Sequence, residues 1–247
     1  MSGSPLKIDL HIHTREDSGN KAPYTAFQLI DIACHKGFDA IAITNHSPLH
    51  PFDRYKAYAQ ERGLLLIPGI EKEINNKHVL CINMLHDKIY TLSDIRRQKQ
   101  KESLVIAPHP FFPGMQSLGK RLEQYADCFD AIEYCHFYSP RFNFNQEAIR
   151  FAHKHQLPMI ATSDAHILEQ FGSSYSIVYG EKSISGIIHA VKTGQITCVA
   201  PPLTLAKMII IYLKILKNKR TVQSAISRIM GIAWRMSHFR EIKKHIS

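Results

Sequence analysis

The chain has 247 residues, of which 45% are hydrophobic, and a formal net charge of +10. This size is sufficient for one large domain with a substantial core, or for a domain with a small appendage. The N-terminus has no long apolar run, and no stretch of about 18 uncharged apolar residues occurs, which argues against a signal peptide and a membrane-spanning helix. The five cysteines form no CxxC pair, so we expect buried free thiols in a reducing, cytoplasmic compartment.

The positive charge is concentrated at the C-terminal end of the chain. Residues 203–247 contain ten basic residues and one acidic residue, a net charge of +9, which leaves about +1 for residues 1–202. The basic character therefore describes the C-terminal segment and not the rest of the chain. We predict a folded domain over residues 1–202 and a basic, helical extension over residues 203–247.

Short apolar strands alternate with helices along the first 202 residues. The predicted strands are KIDLHI, FDAIAIT, LLLIPGIE, KHVLCINM, SLVIAPHP, DAIEYCH, LPMIATSDAH and ITCVAP. The predicted helices between them are YTAFQLIDIACHKG, FDRYKAYAQERG, TLSDIRRQKQ, LGKRLEQYADCF, NFNQEAIRFAHKHQ and SISGIIHAVKTGQ. This alternation predicts an α/β fold with a mainly parallel sheet, and about seven such units favour a closed or nearly closed barrel over an open sheet.

Polar side chains that can bind metal ions follow most of these strands. They are His11, His13, Asn45, His46, Glu71, His109, Glu133, His136, Asp164 and His166. Alternate residues of a strand point the same way, so His11 and His13 can reach one ion together. Because functional groups collect at the carboxyl ends of parallel strands, and imidazole–carboxylate clusters are typical of zinc, manganese and iron sites, the pattern predicts a metal centre.

Six motifs, DLHIHT, AITNH, IPGIE, KHVLCIN, APHP and TSDAH, occur in this order between residues 6 and 200. In content and order they resemble the polymerase and histidinol phosphatase (PHP) superfamily of metal-dependent phosphoesterases. The resemblance implies a distorted seven-stranded (β/α) barrel with two or three divalent ions, zinc, manganese or iron, at its mouth.

Carried over motif by motif, the resemblance implies three sets of metal ligands. The first set is His11, His13, Glu71 and Asp164. The second set is His46, His166 and a residue from the loop after His13. The third set is Glu71, His78 and His109, with Glu71 bridging two ions. Adjacent dications repel each other, so a shared carboxylate is chemically reasonable.

The chain departs from the family pattern at two places. Asn45 stands where the family usually has an aspartate, which removes a negative charge but keeps a hydrogen-bonding side chain. Ser18 and Gly19 occupy the places of the usual loop ligand, so we favour Asp17 as that ligand, with Glu16 in reserve. Asp9 is either an acceptor for a ligand histidine or a core residue.

The predicted reaction is hydrolysis of a phosphoester by a hydroxide formed at the metal centre, with His11, His13, Glu71 and Asp164 acting through that hydroxide. We expect a small phosphomonoester or a nucleotide as the substrate. The alternatives are a nuclease that acts on RNA or DNA ends and a non-catalytic metal-binding module.

Three further residues are candidates for contact with the substrate. His136 follows the strand DAIEYC and is a candidate catalytic residue that meets either the substrate phosphate or a metal. Arg15 and Arg141 are candidate phosphate clamps because a guanidinium binds phosphate in a forked geometry. The alternative for both arginines is a solvated surface position.

The C-terminal extension has an amphipathic pattern. Residues 222–234 place apolar side chains on one helical stripe, with Arg228 and Arg235 on the opposite face. Three alternatives fit the pattern: a helical pair docked on the barrel, contact with an anionic membrane surface that makes the protein peripheral to a membrane, and contact with nucleic-acid phosphates.

Overall fold

The computed structural model describes residues 3–19, 22–84, 88–114 and 116–218. The strands are β1 (Ser4–Ile12), β2 (Ala40–Ile43), β3 (Leu65–Ile74), β4 (Lys77–Ile82), β5 (Leu104–Ala107), β6 (Ala131–Tyr134), β7 (Met159–Ala161), β8 (Tyr175–Gly180) and β9 (Ile196–Val199). The α-helices are α1 (Ala26–His35), α2 (Phe52–Gln60), α3 (Leu92–Gln98), α4 (Asn145–Lys154), α5 (Ile184–Lys192) and α6 (Leu205–Asn218), and residues Gly119–Cys128 form a 3₁₀ helix.

All nine of these strands belong to one sheet, in the order β7-β6-β5-β4-β3-β2-β1-β8-β9. The sheet curls so that β7 approaches the other side of β1. Ile12 and Ala165 form a parallel bridge there, and the backbone N–H of His13 donates to the carbonyl of Ala165 at 3.1 Å. The Ser176 hydroxyl on β8 hydrogen-bonds the backbone of Ala161 on β7. The result is a nearly closed, barrel-like α/β sheet.

The prediction of seven strands in a mainly parallel sheet was wrong in two respects. Nine strands are present in the described residues, and only four of the eight neighbouring pairs are parallel. Strand β8 was not predicted, and it pairs antiparallel with both β1 and β9. Strands β3 and β4 form a hairpin whose turn residues, Asn75 and Asn76, have φ angles of 50° and 57°, a conformation that asparagine tolerates well.

The apolar core lies in layers around this sheet. Inside the barrel, β1 contributes Leu6, Ile8 and Leu10, and helix α5 covers the same cluster with Ile187 and Val191. Two outer layers bury the opposite strand faces, one beneath α1 and α2 and the other beneath α3, the 3₁₀ helix and α4. Each sheet face therefore has its own apolar layer, which stabilises the barrel independently of any polar site.

The described part of the C-terminal extension is helix α6. Its residue Ile211 packs with Ile167 and Leu203, whereas Ile209, Ile210 and Leu213 are exposed. No helix among residues 3–218, apart from the gaps noted above, is long and apolar enough to cross a membrane. The predicted amphipathic helix over residues 222–234 lies outside the described residues.

Candidate metal centre

A register shift in β1 brings the first two histidines to the mouth of the barrel. The pairing of β1 with β2 shifts between Asp9 and Ile12, which marks a bulge or similar irregularity. In a regular strand, Leu10 and His11 would point to opposite faces. The irregularity allows Leu10 to pack inside the barrel while His11 and His13 join the polar cluster above it.

Strands β3 and β4 supply their polar groups without a register shift. On β3, Ile67 packs in the interior cluster and Glu71, four residues later on the same face, lies at the mouth. On the antiparallel strand β4, His78 comes near the beginning of the strand, and Leu80 and Ile82 continue into the interior. Ligand-capable groups therefore come from strand beginnings as well as from carboxyl ends.

The carboxylate of Glu71 is the centre of the cluster. Its side chain is buried, and one of its oxygens lies within 3.5 Å of a ring nitrogen of each of five histidines: His78 (2.7 Å), His13 (3.2 Å), His46 (3.4 Å), His109 (3.4 Å) and His11 (3.5 Å). Burial alone would raise the pKa of Glu71, but the surrounding imidazoles outweigh it and hold the pKa well below its usual range. Glu71 is therefore a buried anion that five imidazoles share.

Asp164 forms a second anionic point at the mouth. Its Oδ1 lies 3.2 Å from His166 Nε2, 3.3 Å from His11 Nε2 and 3.5 Å from His13 Nε2. The rings of His13 and His166 are stacked with centroids 4.3 Å apart. Asp164 thus links His11 and His13 to the segment after β7.

Asp17 is the residue of the loop after His13 that joins the cluster. Its Oδ2 lies 2.9 Å from His13 Nδ1 and 3.0 Å from His46 Nδ1. These imidazoles lower its pKa far below the usual range against the opposing effect of burial, so the ionised carboxylate accepts from both rings. Glu16 instead accepts from the backbone N–H of Ala26 at the start of α1, and Ser18 is exposed.

Glu133 on β6, to which no role was predicted, also contacts the cluster. Its Oε1 accepts from His11 Nδ1 at 2.8 Å and from the Thr162 hydroxyl, and its Oε2 accepts from the backbone N–H of His109. The side chain is buried. Glu133 therefore turns His11 Nε2 towards Glu71 and Asp164, as carboxylates commonly orient metal-binding histidines. The signal in the sequence was a glutamate within a short apolar strand.

Asn45 and Asp9 stabilise the backbone around the cluster. The amide of Asn45 accepts from the backbone N–H of Thr14 and donates to the Thr14 hydroxyl, both at 2.9 Å. Asp9 Oδ1 accepts from the backbone N–H groups of His11 and Ser163 at 3.3 and 3.1 Å. Burial raises the pKa of Asp9 to about 7. Both side chains thus join chain segments rather than orient a histidine ring.

Two cluster residues have unusual backbone conformations. His109 and Asp164 have φ angles of 31° and 43°, in or near the left-handed region that favours glycine. Non-glycine residues in such conformations cost about 1–3 kcal/mol each and concentrate at functional sites. The hydrogen bond from His109 N–H to Glu133 helps to hold one of these two conformations.

The predicted substrate-contacting residues lie in different environments. His136 is 5% exposed and its Nε2 lies 3.0 Å from Gln170 Nε2. Arg15 and Arg141 are exposed, and the guanidinium of Arg15 donates to the carbonyl of Pro23. The roles of Arg15 and Arg141 as phosphate clamps stay predictions.

The donor groups fit divalent metal ions. Among the described residues, four sets each place their ligand atoms within 4.8 Å of one another: His11, His13 and Glu71; His13, Asp17 and His46; His13, Asp164 and His166; and His46, Glu71 and His78. Imidazole nitrogens and carboxylate oxygens in this proportion suit zinc, manganese or iron. The ligand residues implied by the resemblance thus lie in one cluster, although none of these four sets contains both His46 and His166, and none contains His109.

Fold and site together define a class: barrel-like α/β proteins with a candidate centre for several metal ions at the barrel mouth. Residues 142–196 match a family model described as PHP-associated. An uncharacterized protein of Methanocaldococcus jannaschii is 28% identical over 128 residues, which cover 47% of this chain and 75% of that protein.

Two solved structures are similar to this chain in fold. PsfC from Pseudomonas syringae superposes with a TM-score of 0.55 at 18% identity, over 89% of this chain and 99% of PsfC. An amidohydrolase from Chromobacterium violaceum, solved with bound sulfate and no metal, gives a TM-score of 0.50 at 15% identity, over 67% of this chain and 89% of that chain. The match of residues 142–196 to the PHP-associated family model agrees with the resemblance to the PHP superfamily.

Proposed function

We propose that this protein is a metal-dependent phosphoesterase. The observation that carries the proposal is the position of Glu71, a buried carboxylate within 3.5 Å of five histidine ring nitrogens. Burying so many ionisable groups together is costly unless opposite charges or metal ions compensate them. Divalent ions held by the four ligand sets would neutralise the charge of a phosphoryl group and lower the pKa of a bound water.

Residues of the chain orient two histidines of this site and leave one carboxylate partly exposed. Glu133 and Asp17 hold the Nδ1 atoms of His11 and His13, so that both Nε2 atoms face Glu71 and Asp164. Of these groups, His11, His13 and Asp17 are fully buried, whereas the side chain of Asp164 is 22% exposed. Asp164 therefore marks the side from which solvent and a substrate reach the cluster.

The proposal is tested by hydrolysis after removal and return of metal. The chelator-treated protein should lose hydrolysis of p-nitrophenyl phosphate or of a nucleotide, and Mn²⁺ should restore it. Asp164→Ala is the inactive blank, and Asp53→Ala, at an exposed position on α2, is the matched control that should keep activity. Activity that survives chelation, or that is equal in Asp164→Ala, would contradict the proposal.

The same assay distinguishes between the possible classes of substrate. We propose a small phosphomonoester or a nucleotide, and the screen includes short RNA and DNA oligonucleotides as its second arm. Hydrolysis confined to oligonucleotide ends would favour a nuclease. Metal binding without hydrolysis in either arm would favour a non-catalytic metal-binding module.

We also propose that the C-terminal extension, residues 203–247, binds an anionic surface. The support is the net charge of +9 in this segment, together with the exposed apolar side chains Ile209, Ile210 and Leu213 on α6. The full chain should bind anionic vesicles or RNA in a salt-dependent manner, and a chain ending at Asn218 should bind more weakly. Equal binding by the two chains would exclude residues 219–247 as the source.

A further inference from the structure

The side-chain amide of Gln170 has a fixed orientation beside the metal cluster. Its Oε1 accepts from the backbone N–H groups of His166 and Ile167 at 3.0 and 3.2 Å. Its Nε2 lies 3.4 Å from the carbonyl of Asp164, to which it donates. Reversing the amide would place NH₂ against two N–H groups and oxygen against a carbonyl, so the orientation is determined by its partners.

This orientation determines which ring nitrogen of His136 carries the proton. Gln170 Nε2 lies 3.0 Å from His136 Nε2, and the amide nitrogen can only donate. His136 Nε2 must therefore accept, and the single proton of the neutral imidazole is on Nδ1. Burial, the largest influence, lowers the pKa of His136 and favours this neutral form.

The Nδ1–H group of His136 is a buried donor. The residue is 5% exposed, and Nδ1 has no hydrogen-bond partner among the described residues. A buried N–H without an acceptor is destabilising, which is why nearly all such groups in proteins have a partner. Gln170 connects His136 to the backbone of Asp164 and His166, so this donor belongs to the same rim of the barrel as the metal cluster.

We propose that His136 Nδ1–H donates a hydrogen bond to an anionic oxygen of the bound ligand, and that Gln170 is the positioning residue that fixes this tautomer. The inference rests on the proposed function, which makes that oxygen a phosphoryl oxygen. When ionised, such oxygens accept hydrogen bonds and cannot donate them, so a neutral N–H donor matches them. His136 thus acts in binding rather than as a base.

The test measures binding of inorganic phosphate to the Zn²⁺-loaded full-length protein by calorimetry, together with kcat and KM. In His136→Asn the side-chain NH₂ takes approximately the place of Nδ1–H, whereas in His136→Gln the amide extends towards the place of Nε2. Phosphate affinity should stay near the wild-type value in His136→Asn and fall roughly 10- to 100-fold in His136→Gln. His153→Gln, on an exposed part of α4, is the matched control and should bind as the wild type does.

A spectroscopic measurement tests the tautomer itself. Proton–nitrogen correlation spectra of the ¹⁵N-histidine-labelled, Zn²⁺-loaded protein, assigned with His136→Asn, should show His136 protonated on Nδ1. Gln170→Leu removes the donor to Nε2, and the spectrum should then show a mixture of tautomers or the reverse one. A wild-type His136 protonated on Nε2 would overturn the inference even if a variant fails to fold.

The outcomes distinguish this inference from the proposed function. Equal phosphate affinity in the wild type, His136→Asn and His136→Gln would overturn the inference while hydrolysis, and so the proposed function, stands. Weakened phosphate binding in His136→Gln without hydrolysis of any phosphoester would support the donor and contradict the phosphoesterase. A wild-type protein that binds no phosphate would overturn the inference.

Discussion

The two ends of the barrel interior differ in chemistry although the same strands build both. At one end, Ile8 and Leu10 of β1 pack in a fully buried apolar cluster that α5 covers. At the other end, His11 of the same strand and His13, which follows the strand, lie among buried carboxylates. Apolar burial stabilises the fold, whereas buried ionisable groups are costly unless they are compensated. The comparison indicates that the apolar interior stabilises the fold, whereas the buried ionisable groups at the mouth form the candidate metal centre.

The largest expected effect is that of Glu71→Gln, at the mouth of the barrel, on hydrolysis. The substitution keeps the shape of the side chain and removes the charge that five histidines share, so hydrolysis should fall more than about 100-fold. The far-UV circular dichroism spectrum should remain that of the wild type, because the apolar layers are untouched. Glu61→Gln, an exposed glutamate at the end of α2, is the control and should retain activity. Activity within a few-fold of the wild type in Glu71→Gln would show that hydrolysis does not depend on the charge of Glu71.

The complementary substitution is Ile8→Ala in the interior. Removing this fully buried side chain should lower the free energy of unfolding by about 2–5 kcal/mol, measured by denaturant titration. The number of metal ions per folded chain should stay the same. The same substitution at exposed Ile209 on α6 should change stability by less than about 0.5 kcal/mol. Loss of metal from folded Ile8→Ala would show that the two ends are not separable.

Glu133→Gln tests whether a residue that contacts a candidate ligand, His11, affects metal binding at the mouth. The variant keeps an acceptor for one partner and loses the charge that holds His11 Nδ1, so metal affinity should fall by about 10- to 100-fold. The ion count at saturating Mn²⁺ should not change, because no ligand is removed. Glu147→Gln, exposed on α4, is the control, measured by the same calorimetric titration. A lower ion count in Glu133→Gln would make Glu133 a ligand.

The smallest expected effect is the pH dependence of the stability of the metal-free protein. Burial, the largest influence, lowers the pKa of His13, but hydrogen bonds to Asp164, Asp17 and Glu71 outweigh it and raise the pKa to about 10. Because this pKa is raised on folding, the protonated ring stabilises the metal-free protein fully below pH ~6.5, and that contribution is lost as the pH rises through about 10.

Metal binding should show the opposite dependence on pH. Because the ion must displace the proton of His13, Mn²⁺ affinity should increase by up to about tenfold per pH unit between pH 7 and 9, below the onset of hydroxide competition. Calorimetry in buffers of different ionisation enthalpy should detect the released proton. An Mn²⁺ affinity that is constant or falls over this range would contradict a protonated His13 in the metal-free protein.

Much of the site was predictable because its signals are local. Alternation along a strand brings His11 and His13 together, and the order of six motifs placed Glu71, His78, His109 and Asp164 in one centre. The choice of Asp17 over Glu16 also agrees with the positions of their side chains in the structure. These inferences needed only residue type, spacing and the resemblance to a family.

The remaining features depend on contacts between distant residues. The irregularity after Asp9 changes which face of β1 is polar, and strict alternation cannot reveal it. Strand β8 was missed because serine, tyrosine and glycine interrupt its apolar pattern, while its pairing with β1 joins residues more than 160 positions apart. Glu133 meets His11 across 122 positions, so its role is visible only in the folded barrel.

If the proposed function is correct, the buried cluster around Glu71 binds several divalent ions. The most direct measurement is a calorimetric titration of the metal-free, full-length protein with Mn²⁺, with the bound metal counted by elemental analysis after removal of excess. We expect two or three ions per chain in the wild type and fewer in Glu71→Gln and in Asp164→Ala. Fewer than two ions in the wild type, or an unchanged count in both variants, would contradict it.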